Sequence, residues 1–227
     1  MPTVEENLNR VRNAVRCAAE NAGRDAGAVR LLAVSKTFPA EDVRAAYDAG
    51  QRMFGENRVQ ELAEKAPLLP SDIEWHLIGH LQSNKAAKAV EFASWIHSVD
   101  SAKLLGMIAK AAEKSGRIIH ILLEVNVSGE ESKFGLRDEA EILKIAKSAL
   151  SMPQIRLQGL MTMAEIDADE QRLKETFAGL RILRDKLSHA LGVELPELSM
   201  GMSSDFASAI AEGSTMVRIG TAIFGRR

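Results

Sequence analysis

Lys36 closes the run Leu31-Leu32-Ala33-Val34-Ser35 and is followed by Thr37-Phe38-Pro39. A short aliphatic run stopped by proline predicts a buried parallel strand. The amine then sits at the strand's C-terminal end, the edge where parallel α/β proteins bind ligands. There it is either a solvated strand end or an amine able to condense with a carbonyl. Two further stretches bear on the choice. Ser199-Met200-Gly201-Met202-Ser203-Ser204-Asp205 joins a predicted strand to a predicted helix, with hydroxyls and a glycine that lets backbone N–H groups face a ligand. Arg218-Ile219-Gly220-Thr221 ends the last strand with a glycine and a hydroxyl. Each alone reads as a turn with ordinary helix capping. Together, after the seventh and eighth strands of a barrel, they match the usual phosphate cradle of that fold. Asn57 and His80 also fall at strand ends, His80 placed either to meet a ligand or to cap the next helix.

The elements that must position these groups alternate along the chain. Thr3 and Glu6 form a capping box for a first helix with Val4, Leu8, Val11, Val15 and Ala18-Ala19 on one face and Gly23 as its stop. Strands are predicted over 29–35, 52–54, 75–80, 95–99, 118–125, 155–161, 197–200 and 216–219, with helices between them, including one over 206–211. A polar loop, 128–135, follows the fifth strand. Strict alternation of strands and helices argues a parallel sheet with right-handed crossovers. Eight units fit an α/β fold of one (β/α)8 TIM barrel with an additional N-terminal helix, spanning residues 1–227 as a single domain. An open doubly wound sheet is the competitor, but no Gly-x-Gly-x-x-Gly follows the first strand.

Composition narrows the partners. The 227 residues carry 29 basic and 31 acidic side chains, a formal charge of −2, which gives no electrostatic reason to expect nucleic acid or an anionic membrane. No stretch approaches the roughly 18 apolar residues of a membrane span. One cysteine, Cys17, excludes an internal disulfide framework and reads as a small packed side chain. The acidic N-terminus lacks the apolar segment of a secretory signal, so a cytoplasmic location is expected. His76 and His97 fall within strands and read as packed or hydrogen-bonded, while His120 and His189 read as structural or solvated. Histidines so scattered argue against a metal site.

A lysine facing a phosphate cradle points to pyridoxal phosphate (PLP), whose aldehyde would form an imine with Lys36. The same parts fit a lysine-dependent aldolase acting on a phosphosugar. Arg218 helps to separate the two. Flanked by Val217 and Ile219, its buried guanidinium needs an acceptor, and the pyridine nitrogen of PLP is one. Because arginine stays charged, that nitrogen would remain unprotonated and the cofactor a weak electron sink. The alternative partner for Arg218 is a barrel carboxylate such as Glu124.

At these residues the chain resembles the pyridoxal phosphate homeostasis family. The matching blocks are Ala33-Val34-Ser35-Lys36-Thr37, Phe54-Gly55-Glu56-Asn57, His76-Leu77-Ile78-Gly79-His80-Leu81-Gln82, Gly159-Leu160-Met161-Thr162-Met163, Leu198-Ser199-Met200-Gly201-Met202-Ser203 and the run from Val217 to Gly225. They occur in order from the first strand to the last. The resemblance implies a barrel like the N-terminal domain of alanine racemase and PLP held as an internal aldimine on Lys36. It assigns Ser199, Met200, Gly201, Ser203, Gly220 and Thr221 to the phosphate side and Arg218 to the ring nitrogen, with Asn57 and His80 nearby. Phe38 and Ser204 depart from the family pattern, where polar and acidic residues respectively are common, and bear on the details of the mouth.

A racemase of this type needs a base on each face of the substrate's α-carbon. In alanine racemase the second is a tyrosine from a C-terminal β domain, as the family resemblance implies. The sequence ends at Arg227, soon after the eighth strand, so that domain is expected to be absent. The only tyrosine, Tyr47, falls mid-helix on the outer ring. One base and a weak electron sink do not make an efficient racemase. The expectation is therefore a PLP carrier with no catalytic residues and no metal. It would buffer the cofactor or deliver it to PLP-dependent apo-enzymes, affect amino-acid metabolism indirectly, and act as a monomer. A PLP-dependent racemase-like enzyme is the alternative.

Overall fold

The computed structural model describes residues 2–130 and 134–225, so part of the 128–135 loop lies outside the described residues. The N-terminal helix α1 (Val4–Asn21) leads into β1 (Arg30–Val34), α2 (Ala40–Asp48), β2 (Met53–Glu56), α3 (Val59–Lys65), β3 (Glu74–Leu77), α4 (Ala86–Phe92) and β4 (Trp95–Val99). Then come α5 (Ala102–Ser115), β5 (Ile119–Glu124), α6 (Glu139–Leu150), β6 (Ile155–Met161) and α7 (Glu170–Leu191). The chain continues through β7 (Glu197–Ser199), α8 (Phe206–Ala211), β8 (Met216–Ile219) and the short α9 (Thr221–Phe224).

The eight strands form a closed barrel in chain order, every neighbour parallel. It is shut by β1 against β8, with Arg30 opposite Met216 and Ala33 opposite Ile219. The barrel predicted by the alternation is thus the one observed. The capping box of α1 is present, Glu6 N donating to Thr3 Oγ1 at 3.2 Å and Thr3 N to Glu6 Oε2 at 2.8 Å. Leu8, Val11, Val15 and Ala19 are its buried face, set against α2, α8 and α9 on the outer ring.

Most of the core lies between strands and helices, from strand residues such as Phe54, Leu77, Ile96 and Leu160 to helix residues such as Leu62, Ile108 and Phe177. Inside the barrel, Trp95, Leu122 and Met161 form a separate apolar cluster.

Several strand ends differ from the sequence expectation. β1 stops at Val34, so Lys36 stands in the turn beyond it and not on the strand. β3 stops at Leu77, three residues short of the predicted end, and Gly79-His80 belong to the loop. Cys17 is exposed, not packed: it lies off the buried stripe of α1. Tyr47 is on α2 in the outer ring, its hydroxyl donating to Asp72 at 2.8 Å.

Candidate functional site

The turn after β1 is built to present Lys36. Phe38 N donates to Ser35 O at 3.1 Å, and Thr37 takes a left-handed φ of 66°. A threonine there is strained, and α3 supplies the restraint. Glu61 Oε2 accepts from Thr37 N at 2.6 Å, and Lys65 Nζ donates to Ser35 O at 2.9 Å and to Glu56 Oε1 at 2.8 Å. Ser35 Oγ also donates to Glu56 Oε1, at 2.7 Å. This ion pair is buried, with Lys65 8% and Glu56 0% exposed. Burial nonetheless pushes the Glu56 carboxyl up to about 7 against the pull of Lys65. Lys36 itself is exposed.

The β7–α8 and β8–α9 turns line the same mouth as this lysine, the second of them at the end of the strand paired with β1. Gly201 has φ 98°, and a Cβ there would come within 2.7 Å of Ala209 Cβ and 3.0 Å of Phe206 Cα. The turn can fold tightly against α8 only with glycine at this position. Gly220 packs so closely on β1 that a Cβ would stand 2.9 Å from Val34 O, which brings Thr221 beside the first strand's end. The two turns are joined by Thr221 Oγ1 donating to Ser203 Oγ at 3.2 Å. Because α8 and α9 have only six and four residues, the donors here are hydroxyls and first-turn N–H groups and not a long helix dipole.

Arg218 rises from β8 into the same mouth, 5% exposed. Its Nη1 donates to Ser199 O at 2.6 Å and Ser199 Oγ at 2.8 Å, and Nη2 to Thr162 O at 2.8 Å. The guanidinium is thus held by β7 and by the residue just after β6, and not by an ion pair with Glu124. Burial lowers it to about 10, still charged at neutral pH. Glu124, at the end of β5, is 3% exposed, and its Oε2 has no hydrogen-bond partner among the described residues. Burial, and then Asp100, push this carboxyl up to about 7.

These groups surround one cavity of about 480 Å³ at the C-terminal ends of the strands. Seven of the ten predicted site residues line it: Lys36, Asn57, His80, Ser203, Arg218, Gly220 and Thr221. Ser199, Met200 and Gly201 lie beneath the lining, all buried. Ser199 supports Arg218, and Met200 N joins β7 to β8 by donating to Met216 O at 3.1 Å. His80 stacks on Phe134 with ring centroids 3.8 Å apart and pairs with Asp100 at 3.3 Å. Glu124, Phe134 and Met163 also line the cavity and were not singled out as site residues in the sequence. Glu124 carried a usable signal, a carboxyl ending the most hydrophobic strand. Asn126, two residues on, instead binds its own loop through Gly129 N at 3.0 Å. Among the described residues no cluster of His, Cys, Asp or Glu could hold a metal ion, and no helix is long and apolar enough to cross a membrane.

The geometry has close counterparts. Residues 7–227 match the family described as alanine racemase, N-terminal domain. The pyridoxal phosphate homeostasis protein of Aquifex aeolicus is 43% identical over 223 residues, covering 98% of this chain and 97% of that one. The structure of PipY from Synechococcus elongatus with PLP bound superposes with a TM-score of 0.86 at 40% identity, covering 98% of this chain and 100% of PipY. An alanine racemase of Clostridium difficile shares the fold alone, with a TM-score of 0.79 at 13% identity over 99% of this chain and 60% of the enzyme. A barrel matched along its whole length by homeostasis proteins, and only in fold by the racemase, places the chain: it belongs to the alanine racemase N-terminal domain family, among the pyridoxal phosphate homeostasis proteins.

Proposed function

We propose that this chain is a PLP-binding protein of intracellular PLP homeostasis, which holds the cofactor in the cavity at the barrel mouth and buffers or delivers it. The observation that carries the reading is the meeting of Lys36, Arg218 and the Ser203–Thr221 pair of turns on one cavity. PLP, when bound, supplies an aldehyde for a primary amine, a phosphate dianion and a pyridine nitrogen. The residues present fit all three. Lys36 provides the amine. The hydroxyls of Ser203 and Thr221, on the two turns that Gly201 and Gly220 shape, provide phosphate donors. Arg218 has only donors to offer and remains charged, so it suits an acceptor nitrogen. Ser199 and Met200 hold that arrangement from below, and Asn57 and His80 complete the wall.

The reading is of a carrier and not an enzyme. A two-base racemisation needs a second proton-transfer group opposite Lys36, and Tyr47 is bonded to Asp72 on the outer ring. The full-length relative from Aquifex aeolicus is named a homeostasis protein, which fits this reading. We take residues 1–227 as one domain, cytoplasmic and monomeric, with PLP-dependent apo-enzymes as the recipients. One observation favours a second reading, acid–base chemistry on amino acids: Glu124 offers the cavity an unpaired carboxyl held near neutrality. The test loads the purified protein with PLP and measures two things, reactivation of a PLP-dependent apo-enzyme and turnover of a panel of D- and L-amino acids. The carrier reading expects reactivation with turnover no faster than free PLP. Robust turnover abolished by Glu124→Gln would replace it with the enzyme.

A further inference from the structure

Beneath the cavity the barrel interior carries a line of polar side chains from β3, β4, β7 and β8. Glu74 begins β3 at the opposite face of the barrel and is half-buried. Its Oε1 lies 2.8 Å from His76 Nε2, and His76 Nδ1 lies 2.9 Å from His97 Nε2. His97 Nδ1 is 3.0 Å from Ser199 Oγ, which is 2.8 Å from Arg218 Nη1. His76, His97 and Ser199 are wholly buried.

The direction of each bond follows from the two ends. Arg218 can only donate. The hydrogen bond from His76 holds the Glu74 carboxyl below its usual range, so Glu74 is a carboxylate and only accepts. Burial keeps both imidazoles neutral, and a neutral imidazole has one donor and one acceptor nitrogen. Glu74 therefore takes the hydrogen on His76 Nε2. His76 Nδ1 must accept, and the hydrogen comes from His97 Nε2. His97 Nδ1 must accept in turn, from the Ser199 hydroxyl, whose oxygen is left to accept from Arg218. Every hydrogen points from the mouth to the base, and reversing one link sets two donors or two acceptors face to face. Three of the five guanidinium N–H groups are spent on Ser199 O, Ser199 Oγ and Thr162 O, which leaves two for the cavity Arg218 lines.

We propose that His97 and His76 are positioning residues for Arg218: with Ser199 and Glu74 they form a one-way donor chain through the barrel that fixes which guanidinium hydrogens face the cofactor. The proposal rests on the reading of Arg218 as the partner of the PLP ring nitrogen. It makes the far face of the barrel matter to the site, because Glu74 sets the direction of a chain that ends at Arg218. Glu74→Gln is then the informative variant. Its amide can accept or donate, so the links from residue 74 to Ser199 can run either way, with Ser199 Oγ able to accept from both His97 and Arg218, and the position is near enough to the surface to leave the fold intact.

The test reads imidazole tautomers by ¹⁵N NMR in the cofactor-free protein, and PLP affinity and absorbance by titration. Both histidines are expected as Nε2–H tautomers in the wild type, with a mixed or reversed His97 tautomer in Glu74→Gln. His97→Leu is expected to bind PLP about tenfold more weakly with a shifted absorbance maximum. His97→Gln, which keeps one acceptor and one donor, restores part of both. An Nδ1–H or doubly protonated His76 or His97 in the wild type overturns the chain, whether or not PLP binds. Normal PLP binding by the wild type, with unchanged affinity and absorbance in Glu74→Gln and His97→Leu, overturns the positioning role. A wild type that takes up no PLP overturns this role and the proposed function together, while the tautomers still decide whether the chain exists. If His97→Leu does not fold, Glu74→Gln decides alone: an unchanged His97 tautomer with unchanged PLP affinity overturns the proposal.

Discussion

At Glu124 a carboxyl is 3% exposed, with Oε2 bonded to nothing among the described residues. The folded protein holds its proton up to about 7, against an ordinary value of 4.5. Between those two values the folded state binds more protons than the unfolded chain. Its contribution to stability is therefore full below the ordinary value and is lost as pH rises through about 7. Glu124→Gln, which keeps the shape without the charge, is expected to stabilise the PLP-free protein at pH 8 by about 3 kcal/mol and to do little at pH 4. Urea melts at the two pH values check this, and an equal effect at both would contradict it. Arg218 follows the same rule with a different outcome. Burial lowers it, yet it stays charged, because three protein acceptors replace the lost water.

At the scale of elements, the short turns at the barrel mouth are held by their neighbours. The β1–α2 turn that carries Lys36 is braced by Lys65 and Glu61 of α3. Lys65→Met removes one partner of a buried pair and strands Glu56, at an expected cost of about 3 kcal/mol. It also releases Ser35 O, so Lys36 should take up PLP more slowly; a denaturation midpoint and a stopped-flow trace read the two effects separately. The β7–α8 turn depends on Gly201 in the same way. Gly201→Ala meets both an unfavourable φ and the Ala209 and Phe206 contacts. The expected result is a loss of about 2 kcal/mol together with weaker PLP binding, and binding of inorganic phosphate to the two proteins checks the site effect. A Gly201→Ala protein as stable as the wild type and binding phosphate equally would remove the argument for this turn.

For the whole molecule, ligand binding and folding are coupled. PLP at 100 times its dissociation constant should stabilise the fold by about 2.7 kcal/mol, in one cooperative thermal transition. Two transitions in calorimetry would contradict one domain. The architecture was legible in the sequence because buried parallel strands are aliphatic runs set between helix signals, and β6, β8 and α8 fall where their residues predict. The mouth was less legible. Strand ends are decided by loop packing, as at β3, where the chain leaves the sheet before Gly79. Adjacent residues of a strand point to opposite faces, so a motif such as Ser199-Met200-Gly201 does not tell lining from support. The polar chain was out of reach altogether, since Ser199 and His97 are 102 positions apart and neither periodicity nor a motif links them. Its direction depends on hydrogen-bond partners that only the closed barrel brings together.

The central claim is that Lys36 is the amine that holds PLP. It is tested most directly by reducing the PLP-loaded protein with borohydride and locating the product by peptide mass spectrometry. One pyridoxyl group on Lys36, and none on the protein after Lys36→Ala, is the expected product. A pyridoxyl group spread over other lysines with Lys36 unmodified would contradict it.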